Sequence, residues 1–156
     1  MQTIDSIKIR DAMSLVEFTV SPCDKIDEVA KLFQQHHVNS APVVDEFDRC
    51  IGIITSEDLV RFQSELTEVN SGINQGLSFE VTQQQTDGSL KIVSHPFDEV
   101  QRQMTATLQT IDQSQSLRLA AKMMCEQHVH HLIVLDDAQR PYGILSSLDI
   151  LAKLDR

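Results

Sequence analysis

Basic residues are scarce: 13 Lys and Arg stand against 23 Asp and Glu, a formal charge of −10 with histidine neutral. A field of that sign repels phosphate backbones and anionic headgroups, which excludes nonspecific binding to nucleic acid or to an acidic membrane surface. Long apolar runs are missing too, the longest being pieces such as Leu132 to Leu135, far short of the ~20 residues that cross a bilayer. The opening Met1-Gln2-Thr3-Ile4-Asp5 has neither a basic nor an apolar region, so no export signal is expected. The three cysteines, Cys23, Cys50 and Cys125, are odd in number and lack CxxC spacing. That fits a reducing compartment rather than a disulfide framework, and the expected location is the cytoplasm. No serine sits in a nucleophile-elbow pattern with an assignable histidine and acid, so the chain does not read as an enzyme.

What is present is a repeat. Gly52-Ile53-Ile54-Thr55-Ser56-Glu57-Asp58 returns as Gly143-Ile144-Leu145-Ser146-Ser147-Leu148-Asp149, 91 positions on. Each copy is a glycine, two strand-forming residues, a hydroxyl, and an aspartate three residues later, followed by an apolar run of helical character. A strand thus delivers a hydroxyl and a carboxylate to a helix start, where free N–H groups and the helix dipole favour an anion. The same spacing relates Met13 to Met104, Thr19-Val20 to Thr110-Ile111, Ala30 to Ala121 and His37-Val38 to His128-Val129. It also relates Val43 to Val134, Asp45 to Asp136 and Arg49 to Arg140, with no gap. With 156 residues, 41% of them hydrophobic, the chain is one ordinary domain or two small units sharing a core.

Local patterns place the elements. Ile4 to Ile9 alternate and read as a short strand or arm. Thr19-Val20 is a brief extended segment. Ser21-Pro22 with Asp24 predicts a helix start, and Ile26, Val29, Ala30 and Phe33 recur at helical spacing over Asp24 to His37. Pro42 to Asp45 and Cys50 to Thr55 read as two strands of a hairpin around a turn at Glu46 to Arg49. A helix follows from Ser56 through Leu59, Phe62, Leu66 and Val69 to about Asn70-Ser71-Gly72. Residues 73–97 hold two alternating runs, Leu77 to Val81 and Leu90 to Val93, about an Asp87-Gly88 turn signal; they read as an inserted β-hairpin or as a linker. The expected units are residues 6–72, 73–97 and 98–156. The fold class is α+β, two pseudo-symmetric β-α-β-β-α repeats packed sheet to sheet, since neither copy alone buries enough surface.

Ile9-Arg10-Asp11-Ala12-Met13, Thr19-Val20-Ser21-Pro22, Ala41-Pro42-Val43-Val44-Asp45 and the doubled Gly-x-x-[Ser/Thr]-x-x-Asp ending together resemble a tandem pair of CBS domains, the Bateman module named after cystathionine β-synthase. The resemblance covers nearly everything outside 73–97. It implies a stand-alone regulatory module that binds AMP, ADP, ATP or S-adenosylmethionine in clefts between the repeats and signals to a partner protein, with no cofactor required. Carried onto this chain, it nominates Asp58 and Thr55 for one site and Asp149 and Ser146 for the other. Thr19, Val20, Ala41 and Pro42 would frame one base, and Thr110, Ile111, Leu132 and Ile133 the other. Apart from the resemblance, His130 or His131 could face the ligand phosphate. A carboxylate accepting from both hydroxyls of a vicinal diol suits a ribose. The second copy has Ile133 for Pro42, Asp112 for Ser21 and His131 for Ser40, so the clefts are expected to be unequal. The family also implies a homodimer, and the faces carrying Ile26, Val29 and Phe33, or Leu117, Ala121 and Met124, are candidates for its interface. A dimerisation module with empty clefts is the alternative.

Several residues carry a plainer reading. The hydroxyl-to-acid spacing is also that of a helix capping box, which competes with ligand binding on local grounds. His36, His37, His128, His130 and His131 with Cys125 invite a metal, yet complete no recognised spacing, and His37 and His128 suit helix ends. Arg49 and Arg140 belong to solvated turns. Cys50 and Cys125 stand at apolar positions and read as buried thiols.

Overall fold

The reciprocal exchange of two short segments organises the molecule. The computed structural model describes residues 3–71 and 98–154, with side chains for 3–66 and 98–154; the insert expected at 73–97 lies outside the described residues. The elements are β1 (Ser14–Leu15), α1 (Ile26–His36), β2 (Ser40–Val44), β3 (Cys50–Thr55), α2 (Ser56–Ser71), α3 (Val100–Gln103), α4 (Leu117–Gln127), β4 (His131–Leu135), β5 (Pro141–Ser146) and α5 (Ser147–Leu154).

Each repeat is built on an antiparallel hairpin, β2 with β3 and β4 with β5. Asp45 closes the first turn by accepting from the amides of Phe47 and Arg49 at 2.9 Å each, and Asp136 closes the second by accepting from Ala138 and Arg140 at 2.9 Å. Arg49 and Arg140 each pair with that aspartate. On the outer edge of the hairpin, Val20 bridges Val43 and Thr110 bridges Ile133, both in parallel; the segment expected as a first strand is thus a single bridge.

The other hairpin edge is completed by the opposite repeat. Ser14 and Leu15 pair with Ile144 and Gly143 of β5, while Thr105 bridges Ile53 of β3. The exchange continues at the helix starts: Ile26 N–H donates to Asp98 at 2.8 Å and Leu117 N–H to Ile7 at 3.0 Å. Accordingly Ile7 and Ile9 are buried with Leu117, Met124, Leu132 and Leu145 of the second repeat, and Val100 with Val29, Phe33 and Ile54 of the first. The repeats, packed sheet to sheet, thereby share structure and cannot be separated by cutting the chain once.

Four expectations are corrected. Ile4 to Ile9 form no strand; residues 4–6 turn, Lys8 bridges Ser116, and Ile9–Asp11 make one 3-10 turn. Helix α1 starts two residues late because Ser21 N–H donates to the Asp24 carboxylate in a turn of its own, and the true cap is Lys25. The helix faces offered as a dimer interface are core: Val29 and Leu117 are fully buried, with Ile26, Phe33 and Met124 nearly so. Cys50 is buried, and desolvation pushes its thiol pKa up. Cys125, expected inside, is exposed because it lies on the outer face of α4.

Candidate functional site

Two clefts open where the repeats meet, and each is walled by both. The larger, about 470 Å³, is lined by Ser14 to Phe18, His36 to Ser40 and Pro42, and by Ile144, Ser146 and Asp149 from the β5–α5 corner. The smaller, about 190 Å³, takes Ile53, Thr55, Glu57, Asp58 and Arg61 from the β3–α2 corner, with Thr105, Thr107, Gln109, residues 128–131 and Ile133. The walls correspond at the 91-residue spacing: Ser14 with Thr105, His37 with His128, Ser40 with His131, Pro42 with Ile133, Ser146 with Thr55, Asp149 with Asp58.

Local geometry explains how each side chain arrives. His37 and His128 end their helices at φ 53, their N–H groups returning to Phe33 and Met124; this left-handed step turns the chain into the cleft wall and on into β2 and β4. At each corner the last strand residue and the first helical turn form a reciprocal capping box. Asp58 Oδ2 accepts from Thr55 N at 2.8 Å and Thr55 Oγ1 at 3.0 Å; Asp149 Oδ2 accepts from Ser146 N at 2.7 Å and Ser146 Oγ at 2.8 Å. Capping and binding are therefore compatible, because the cap uses one oxygen and leaves the other.

The second oxygen differs between the clefts. Asp58 Oδ1 accepts from Arg61 Nη2 at 2.7 Å, and its side chain is only 5% exposed. Asp149 Oδ1 accepts no hydrogen bond among the described residues. In the larger cleft His36 Nδ1 lies 3.2 Å from Glu17 Oε2, and the Phe18 and His36 rings are 4.7 Å apart. In the smaller, His131 Nε2 is buried with no hydrogen-bond partner among the described residues. Burial holds the His131 pKa below its ordinary value, against the opposing pull of Glu57. Among the described residues no three His, Cys, Asp or Glu side chains come together as a metal site.

Of the residues nominated from the sequence, Pro42, Ser146 and Asp149 meet in the larger cleft, and Thr55, Asp58, His131 and Ile133 in the smaller. Thr19 and Thr110 are exposed outside both linings, while Val20, Ala41, Ile111 and Leu132 are buried in the cores. Strand alternation turns Ala41 and Leu132 away from the clefts. The backbone of Val20 is spent on the sheet, its N–H donating to Pro42 and its carbonyl accepting from Val44, both at 3.0 Å. Ser14 to Phe18 and His36 to Asn39 were not foreseen, nor were Thr105, Thr107, Gln109 and Arg61. Arg61 had a signal, since it stands one helical turn beyond Asp58.

The CBS domain profile matches residues 9–65 and 98–156, each repeat once. The chain belongs to the CBS domain family. It is a tandem CBS pair, and solved CBS structures share its fold. The CBS domain pair of protein MJ0100, in complex with 5′-methylthioadenosine and S-adenosyl-L-methionine, superposes with TM-score 0.71 at 23% identity, covering 96% of this chain and 100% of that one. CBSX2 in complex with AMP does so with TM-score 0.64 at 21% identity, covering 96% and 98%. A homoserine O-acetyltransferase of Methanocorpusculum labreanum is 27% identical over 146 residues, which are 94% of this chain and 24% of that protein. Across three curated relatives the chain spans 40%, 24% and 62% of their lengths. Among the described residues no helix is long and apolar enough to cross a membrane.

Proposed function

We propose that this CBS pair is a regulatory, non-catalytic module that takes an adenosine-containing ligand, AMP, ADP, ATP or S-adenosylmethionine, in the larger cleft and passes its occupancy to a partner protein. The observation that carries the reading is Asp149: one carboxylate oxygen caps α5 and the other stands unengaged in a cleft of about 470 Å³, within the ~300–1,000 Å³ usual for small-molecule sites. A ribose diol supplies the donors that oxygen lacks, with Ser146 beside it and Pro42 opposite. The solved relatives in complex with adenosine compounds support the same chemistry. Thr55, Asp58, His131 and Ile133 line the second, smaller cleft, and the buried Val20, Ala41, Ile111 and Leu132 support the walls from behind. Signalling requires that the ligand bind one of two conformations better than the other. The reading includes a cytoplasmic location and a homodimer formed through exposed apolar residues of the outer helices.

Thermal unfolding with each adenosine compound tests the proposal. At a hundredfold excess over Kd a ligand adds ~2.7 kcal/mol, raising Tm by roughly 5–10 °C in a chain of this size. Asp149→Ala weakens binding by about tenfold or more, while the unliganded protein loses only the ~1 kcal/mol of a helix cap. Indifference of the wild-type Tm to all four compounds and to adenosine itself overturns the reading.

A further inference from the structure

The two clefts are copies at every capping contact and differ at one residue that reaches the capping aspartate. Position 61, three beyond Asp58, is Arg; its counterpart three beyond Asp149 is Ala152. From that place the Arg61 guanidinium donates to Asp58 Oδ1 at 2.7 Å and to the Gln103 carbonyl at 3.3 Å. With Oδ2 engaged by Thr55, both oxygens of Asp58 are occupied by the protein itself. The guanidinium is a planar, permanently charged donor array and presents to this carboxylate what a ribose diol presents to Asp149. The smaller cleft is also narrowed by His131 where the larger has Ser40.

We infer that Arg61 is a built-in occupant that silences the diol acceptor of the smaller cleft, so that the chain binds its adenosine ligand at the Asp149 cleft alone. This rests on the reading above and adds to it a stoichiometry and the residue that sets it. A ligand entering the smaller cleft must displace a charge-assisted bond to a nearly buried carboxylate, whereas one entering the larger displaces only solvent. Replacing Arg61 by alanine installs the residue of the other repeat and returns Asp58 Oδ1 to the state of Asp149 Oδ1. The Arg61 side chain is 55% exposed, so its truncation leaves the core untouched.

Titration calorimetry with AMP, and separately with S-adenosylmethionine, tests this on the wild type, Arg61→Ala, Arg61→Ala/Asp58→Ala and Asp149→Ala. The wild type takes up one equivalent, lost in Asp149→Ala. Arg61→Ala takes up two, the second site tightening by at least about tenfold, and the added Asp58→Ala change returns it to one. Arg61→Gln, which keeps the stem but not the charge, gains the second equivalent as well. Wild-type binding of one equivalent that Arg61→Ala leaves unchanged overturns the lock and spares the adenosine reading, as does a wild type that already binds two. No binding by either the wild type or Arg61→Ala overturns both.

Discussion

His131 shows how one residue departs from its repeat. Where the first copy has the small, buried Ser40, the second places an imidazole whose Nε2 finds no partner among the described residues. Burial favours its neutral form, so its folded pKa lies below the ordinary 6.5. The unfolded chain therefore binds this proton first as pH falls: stability is intact above pH 6.5 and is lost as pH drops through the folded value. The carboxylates of Asp5, Asp45, Asp112 and Asp136 are held below their ordinary 3.8 by hydrogen bonds, with the charges of Arg118, Arg49 and Arg140 adding to this at Asp5, Asp45 and Asp136. Their contribution is present above 3.8 and disappears below it. Urea unfolding followed against pH will show a decline that begins below 6.5, and His131→Gln will flatten that part of the curve while leaving the carboxylate limb in place. Equal slopes for the two proteins between those values would mean that the histidine is not the group responsible. The aspartates and hydroxyls of the clefts were legible because a doubled motif names them; the Arg61–Asp58 pair was passed over because reading by the repeat picks out residues that both copies share, and position 61 has Ala152 as its counterpart.

At the scale of elements, the exchanged segments explain the two repeated glycines. An added Cβ at Gly52 would come within 2.9 Å of both Met104 Sδ and the Thr105 carbonyl; one at Gly143 would meet Met13 Sδ at 2.5 Å. Backbone pinned by the Thr105–Ile53 bridge cannot retreat, whereas a methionine can choose another rotamer. Gly52→Ala should thus cost ~1–3 kcal/mol and Gly143→Ala about 1 kcal/mol or less, measured by chemical denaturation, and Met13→Ala should relieve the second but not the first. A larger loss at Gly143 would contradict this account. The sequence located the hairpins and helices closely, since Cys50–Thr55 and Ser56–Ser71 carry clean local signals. It left the arm before the first repeat open between strand and arm, because a segment whose Ser14 pairs with Ile144, 130 positions away, leaves no local period to read.

On the whole molecule, apolar side chains remain uncovered on the outer helices: Leu148, Leu151 and Leu154 of α5 are 64%, 57% and 57% exposed, Val60 of α2 is 62% exposed and Leu119 of α4 is 37% exposed. Leu148, Leu151 and Leu154 are spaced three apart and share one helix face. If a second copy covers that face, Leu148→Glu/Leu151→Glu will sediment as a folded monomer while the wild type sediments as a dimer at micromolar concentration. A monomeric wild type would remove the dimer from the proposal. The sequence by itself determined the duplication, the two hairpin-and-helix repeats and the pair of capped aspartates, because each is a matter of residue type and spacing along the chain. Only the tertiary structure decided that the arms cross over, that each cleft takes its walls from both repeats, and that one aspartate is engaged by an arginine while the other is not. Those are facts of three-dimensional proximity, set by burial and hydrogen bonding between segments far apart in the chain.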